Sequence, residues 1–341
     1  MLETIWFVLW GVLWAVYFVL DGFDLGLGTI MPAVARTETE KRTLLNAMGP
    51  FWDGNEVWLI TAGGVTFAAF PTTYAVLFSG LYTALMLLLI ALIIRGVALE
   101  FRSKIESPRW RNIWEKAFIV SSFLPALLLG VAFANIFQGL AINAENIVQG
   151  GLLGLLNPYG LLGGLLFVLL FALHGSLWLG IKARGELQER AARLARGLWP
   201  AVVTVLLAFL AFSAATTHLF GNYLQTPWLM VVLTLPILGL FGSRLFLGTR
   251  QWWLAWGASA ATIAGTAMFG IIGNYPALLP SKLNPAYSLT ITNSSSSPLT
   301  LKIMLGVVLV FVPLVLGYQI WAYHLFRHPI SEDDLSSDEA Y

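Results

Sequence analysis

Apolar runs long enough to cross a lipid bilayer recur along almost the entire chain, and they constrain its fold more than any other feature. A helical span needs about 20 mostly apolar residues to cross about 30 Å of hydrocarbon. About nine segments meet that measure, near residues 5–30, 54–70, 73–96, 114–137, 158–182, 197–218, 226–247, 252–274 and 300–326. In lipid every backbone polar group must be satisfied within the segment, so these runs predict helices. Only 11% of the 341 residues are charged, 58% are hydrophobic and the mean hydropathy is +0.77. Soluble domains carry about 25% charged residues. The expectation is an all-α, polytopic membrane protein with one transmembrane helical domain over 1–330 and an acidic, disordered cytoplasmic tail over 331–341. The N-terminal MLETIWFVLW lacks a basic stretch and a small-residue cleavage site, so it reads as the first span.

Lysines and arginines alternate between connections. They gather at 36–42, 102–116, 182–196, 244–250 and 327, while the intervening connections hold only Lys282 and Lys302. Under the positive-inside rule this pattern places the N-terminus outside and the C-terminus inside, which requires an odd number of spans such as nine. No basic stripe exceeds what topology needs, so nucleic acid is not an expected partner. The absence of cysteine excludes disulfides, iron–sulfur ligation and c-type haem attachment. Tryptophans near the span ends, among them Trp52, Trp58, Trp110 and Trp321, read first as interfacial anchors.

Against this apolar background a few charges stand out. Asp21 and Asp24 in VLDGFDLG are three apart and share one helix face. Asp53 and Glu56 in PFWDGNEVWLI open the second span, at a depth similar to Asp24. An ionisable side chain facing lipid at that depth costs roughly 2.5–3.5 kcal/mol, so the group should be enclosed by helices or line water. Carboxylates converging there suit a proton relay. The structural alternatives are capping of the second span by Asp53 and Glu56, and pairing of Asp21 and Asp24 with Arg95 or another buried cation. Arg95 itself, with Glu100 near it at the interface, reads as a salt-bridge or snorkelling residue that could set the charge of the carboxylates. Of the four histidines, His174 lies deep in a span and reads as a hydrogen-bonded interhelical residue rather than a haem ligand. No metal or haem is expected on this chain. Glycine-rich runs such as AGG at 62–64 and LLGGLL at 162–167 favour close helix packing.

Several stretches resemble subunit II of the bd-type quinol oxidases: DGFDLG, FWDGNEVWLITAGGVTFAAFP, FRSKIESPRWRNIWEKAF, GVAFANIFQG, LLNPYGLLGG and SLTITNSSSSPLTLKIM, in order from about residue 20 to 310. The resemblance implies a heterodimer with a haem-bearing subunit I in a bacterial or archaeal cytoplasmic membrane. Haems b and d would belong to that partner, quinol and oxygen would be the substrates of the complex, and membrane lipid would surround it. It implies that this chain stabilises subunit I and gives protons and oxygen access to its oxygen-reduction site. Asp53 would be the central proton-path carboxylate, Asp21 and Asp24 would support it, and Trp58 would lie near a lateral oxygen inlet. A structural quinone and a small accessory subunit are further features that the resemblance leaves open. The rival reading from the residues is a proton-coupled secondary transporter, with midplane carboxylates but also broken helices and a polar substrate site. A purely structural scaffold would leave the buried aspartates unexplained.

Overall fold

The computed structural model describes residues 1–336 and 341. The chain is helical nearly throughout. Its helices are α1 (Leu2–Val34), α2 (Glu38–Met48), α3 (Trp52–Ala69), α4 (Pro71–Gly80), α5 (Tyr82–Arg102), α6 (Pro108–Gln138) and α7 (Leu152–Leu155). Then come α8 (Pro158–Lys182), α9 (Gly185–Thr216), α10 (Phe220–Gln225), α11 (Met230–Gly248), α12 (Trp252–Asn274), α13 (Pro298–Leu325) and α14 (Glu332–Ser336). Among the described residues, eight helices are long and apolar enough to cross a membrane: α1, α5, α6, α8, α9, α11 with its preceding turn, α12 and α13. The expected span at 54–70 forms the 18-residue helix α3 and is not among the eight. At about 1.5 Å per residue it is about 27 Å long, and its first turns carry Asp53, Asn55 and Glu56. The run expected at 73–96 is divided at Leu81 into α4 and α5.

Local sequence explains several helix starts. Ser107–Pro108, Asn157–Pro158 and Ser297–Pro298 each place a capping side chain before a proline at the first helical position. Proline has no N–H to lose there and its φ suits the helix. The capping oxygens accept from Trp110 N, Gly160 N and Thr300 N. Helix α2 begins with a capping box, in which the Thr37 side chain accepts from Glu40 N and Glu40 accepts from Thr37 N.

Helices α1 and α8 form the centre. They cross so closely that a methyl on Gly26 would fall 1.9 Å from the Phe171 carbonyl oxygen, while one on Gly175 would fall 2.6 Å from Leu27 N. Only glycine permits that approach. Edge-on rings of Phe18, Phe133 and Phe167 fill the space between α1, α6 and α8. Further along, Trp178 stacks on Phe23 at 4.4 Å and meets Trp256 of α12. Helix α13 lies at the edge, with Leu301 its one buried residue.

The two ends of the bundle differ in chemistry. At one end α2 is bound by ion pairs: Arg102 grips Glu38 through both terminal nitrogens at 2.9 and 3.0 Å, Lys41 meets Glu115 at 2.7 Å, and Arg190 bonds Glu40 and the Val34 carbonyl. The tail returns to this end, where Arg42 donates to the carbonyls of Leu335 and Tyr341. Within the expected disordered tail, 332–336 is helical and 337–340 lie outside the described residues. The other end is covered by the 138–157 and 275–299 connections, including a two-stranded antiparallel sheet of β1 (Ala277–Leu279) and β2 (Leu289–Thr290).

Candidate functional site: a buried carboxylate–arginine cluster

The helix spacing of Asp21 and Asp24 puts both on the face of α1 that packs toward α3 and α5, and both are fully buried. Arg95 of α5, also fully buried, reaches between helices. Its Nη2 donates to Asp21 Oδ1 and to Glu56 Oε1 of α3, each at 2.6 Å. The salt-bridge reading of Arg95 therefore holds, and snorkelling does not, since no part of the side chain reaches the surface. Asn55 of α3 donates through Nδ2 to Asp24 Oδ2 at 2.7 Å and to the Leu20 carbonyl at 3.2 Å, and Tyr323 of α13 donates to Asn55 Oδ1 at 3.0 Å. Six side chains from α1, α3, α5 and α13 thus meet at one place.

The cluster offers more polar atoms than it pairs. Among the described residues, Tyr17 Oη, Asp21 Oδ2, Asp24 Oδ1, and Arg95 Nε and Nη1 are buried without a protein partner. Such groups normally bind ordered water. Charge points the same way: three carboxyl groups face one guanidinium, so fully ionised carboxylates would leave an excess of −3 + 1 = −2 inside a low-dielectric bundle. Protons on carboxyl oxygens remove that excess.

A family model for cytochrome bd terminal oxidase subunit II matches residues 2–326. The chain belongs to this family. Subunit 2 of the cytochrome bd ubiquinol oxidase of Bacillus subtilis is 36% identical over 98% of this chain and 98% of its own. Subunit 2 of the cytochrome bd-I ubiquinol oxidase of Escherichia coli is 35% identical over 98% and 97%. A chain in the structure of the bd oxidase from Geobacillus thermodenitrificans shares the fold, with a TM-score of 0.77 over 95% of this chain and 98% of that one, at 19% identity. The protein is therefore a multi-pass membrane subunit of a bacterial bd-type quinol oxidase, and the transporter reading is set aside.

Within this bd-oxidase subunit the residues expected along the proton path divide into two groups. Asp21, Asp24 and Glu56 come together. Asp53 does not join them: it is exposed, and its Oδ1 accepts the N–H of Gly54 at 2.7 Å. The helix explains the separation. At about 100° per residue, Asp53 and Asn55 point to nearly opposite sides of α3, and Asn55 faces α1. Glu100 is likewise exposed; it accepts the Tyr341 hydroxyl at 3.1 Å rather than touching Arg95.

Glu56, about a quarter exposed, is where the cluster meets the surface. It lines a groove of about 420 Å³ between α3 and α5, together with Trp52, Gly96 and Glu100. Leu59, Ile60, Leu89 and Leu92 are shared with a larger, overwhelmingly apolar cavity of about 770 Å³ that runs along α3, α4 and α5 to Trp10 and Trp14. Trp58 does not line either space. It is buried, and its indole donates to Gln319 Oε1 at 3.1 Å.

His174 links three helices: Nδ1 bonds Ser259 of α12 at 2.6 Å, Nε2 bonds the Val19 carbonyl at 3.1 Å, and the ring stacks on Trp256. With both nitrogens engaged, it does not fit as an axial haem ligand. Sequence reasoning passed over Asn55, Tyr323, Gln319 and Tyr17. Asn55 stood inside the WDGNEVWL stretch but is uncharged. No signal in the sequence pointed to Tyr323 or Gln319, because they lie 268 and 261 residues from their partners Asn55 and Trp58 in α3.

Proposed function

We propose that this subunit carries protons from the α2 end of the bundle toward the oxygen-reduction site of a haem-bearing partner subunit, and that it stabilises that partner. The observation that carries the reading is the enclosed Asp21–Arg95–Glu56 bridge with Asp24 beside it, connected to the surface through Glu56. Asp53 and Glu100 are exposed on the surface of the subunit, where carboxylates collect protons from water. Glu56 receives them, exchanges with Asp21 across the Arg95 guanidinium and water on the unpaired atoms, and Asp24 holds the proton that moves on. Arg95 stays cationic and keeps the site from gaining too many protons, while burial and repulsion among the carboxylates keep it from losing all of them.

In the partner, haems b and d would take electrons from quinol and reduce oxygen to water, consuming one proton per electron. If quinol protons leave on the opposite face while these come from the α2 end, each turnover separates charge. One elementary charge moved against 100 mV stores about 2.3 kcal/mol. The cationic loops support a cytoplasmic α2 end under the positive-inside rule. Oxygen would enter laterally near Trp58, which is buried against α13 through its bond to Gln319 and lines neither the groove nor the larger cavity. The 770 Å³ cavity has the lining for an isoprenoid or acyl chain, which accommodates a structural quinone.

Asp24→Asn and Glu56→Gln should each lower quinol-dependent oxygen consumption per assembled complex severalfold, with the haem spectrum preserved. Full activity in both variants would remove the cluster from the proton route.

A further inference from the structure

We propose that Asn55 is a positioning residue for Asp24, itself fixed by Tyr323, and that together they select which carboxyl oxygen of Asp24 carries the transferred proton; this rests on the proton route above. The Asn55 amide has three polar neighbours. Its Nδ2 donates to the Leu20 carbonyl and to Asp24 Oδ2, and its Oδ1 accepts from Tyr323. A backbone carbonyl can only accept, so the nitrogen must face α1 and the amide cannot be turned over. The Tyr323 hydroxyl holds the other end of the same plane. Asp24 Oδ2 is therefore committed as the acceptor of an N–H. Asp24 Oδ1 is buried with no partner among the described residues, so it is the oxygen left to take a proton and pass it to water.

The arrangement also ties the carboxyl to α13, a helix with little other packing. One turn before Tyr323, Gln319 accepts the Trp58 indole and approaches the Gly54 carbonyl at 3.4 Å. Gln319 and Tyr323 form a two-rung polar clasp on α3, of the kind that fixes helix pairs in lipid. Only the Tyr323 rung leads to Asp24, so the two rungs can be separated by substitution.

The test uses the assembled oxidase complex in liposomes, following the rate constant of charge separation in a single turnover with oxygen. A first-order rate constant does not depend on how much complex is intact, so loss of folding lowers amplitude and not rate. Asn55→Leu should slow this phase about tenfold, as expected for loss of a hydrogen bond to an ionisable group. Tyr323→Phe should slow it less, and Gln319→Leu should leave it unchanged. Infrared difference spectra give a second readout. The carboxylic C=O band that Asp24→Asn abolishes should move to higher wavenumber in Asn55→Leu, because Oδ2 loses its donor. Should Asn55→Leu fail to assemble, Tyr323→Phe carries both readouts. A parental rate and band in these variants, or equal slowing in Gln319→Leu, overturns the proposal. An unchanged rate in Asp24→Asn overturns the proton route itself.

Discussion

At the scale of single residues, Arg95 decides whether the interior of this bundle tolerates acid groups. A buried carboxylate that loses its cationic partner costs about 3–5 kcal/mol, and among the described residues Arg95 is the one cation paired with Asp21. Arg95→Met should therefore lower the thermal stability of the purified complex by several degrees or prevent its accumulation. Adding Asp21→Asn to that variant should restore part of the loss, since the stranded charge is then gone. If Arg95→Met alone is as stable as the parent, the bridge has no structural weight. The aspartates were legible in the sequence because charge is scarce in the spans and their three-residue spacing implies a shared face. Asn55 was not, since an amide carries no such scarcity. Asp53 was expected beside Asp24 and instead points away from it, because counting residues along a helix does not tell which face of α3 meets α1.

At the scale of elements, close approach and ion pairing dominate. Gly26→Ala would drive a methyl into the Phe171 carbonyl and force α1 and α8 apart, a strain of about 1–3 kcal/mol or more. Gly197→Ala in α9, where nothing lies within 4 Å, should instead stabilise by up to about 1 kcal/mol through helix propensity. Thermal denaturation of the two variants should shift in opposite directions. Helix α2 has its own dependence on pH. Burial alone would raise the Glu38 carboxyl, but the hydrogen bond and charge of Arg102, with Arg111 and Lys41, hold it below its usual 4.5. Glu40 is lowered likewise, against burial, by the Arg36 N–H, Arg190 and the Thr37 N–H. Groups with depressed folded values stabilise above their unfolded pKa and lose that contribution as pH falls through the folded value. Hydrogen-exchange protection across 38–48, taken relative to the intrinsic exchange rate at each pH, should thus be high at neutral pH and fall below about 4.5; unchanged protection on acidification would deny the pairs a role. Neither this helix nor the break between α4 and α5 was visible in hydropathy, which registers how apolar a stretch is and not where its backbone turns.

For the whole molecule, the two ends of the bundle differ in charge: an ion-paired end with α2 and the tail, and a sparsely charged end capped by loops and a small sheet, whose connections carry Glu145 and Lys282. Because the chain has no cysteine, single reporters can be placed cleanly. Lys104→Cys should react with an impermeant thiol reagent only from the cytoplasmic face, and Asn293→Cys only from the opposite face; the reverse pattern would invert the proposed direction of proton movement. The most direct test of the account is an oxygen pulse given to proteoliposomes of the assembled complex, with a pH dye on the α2 side. Proton uptake should keep pace with oxygen reduction in the parent. In Asp24→Asn it should slow by about tenfold, the effect expected of losing one step worth about 1.4 kcal/mol, with the haem spectrum intact. Uptake at the parental rate in an intact Asp24→Asn complex would contradict the account.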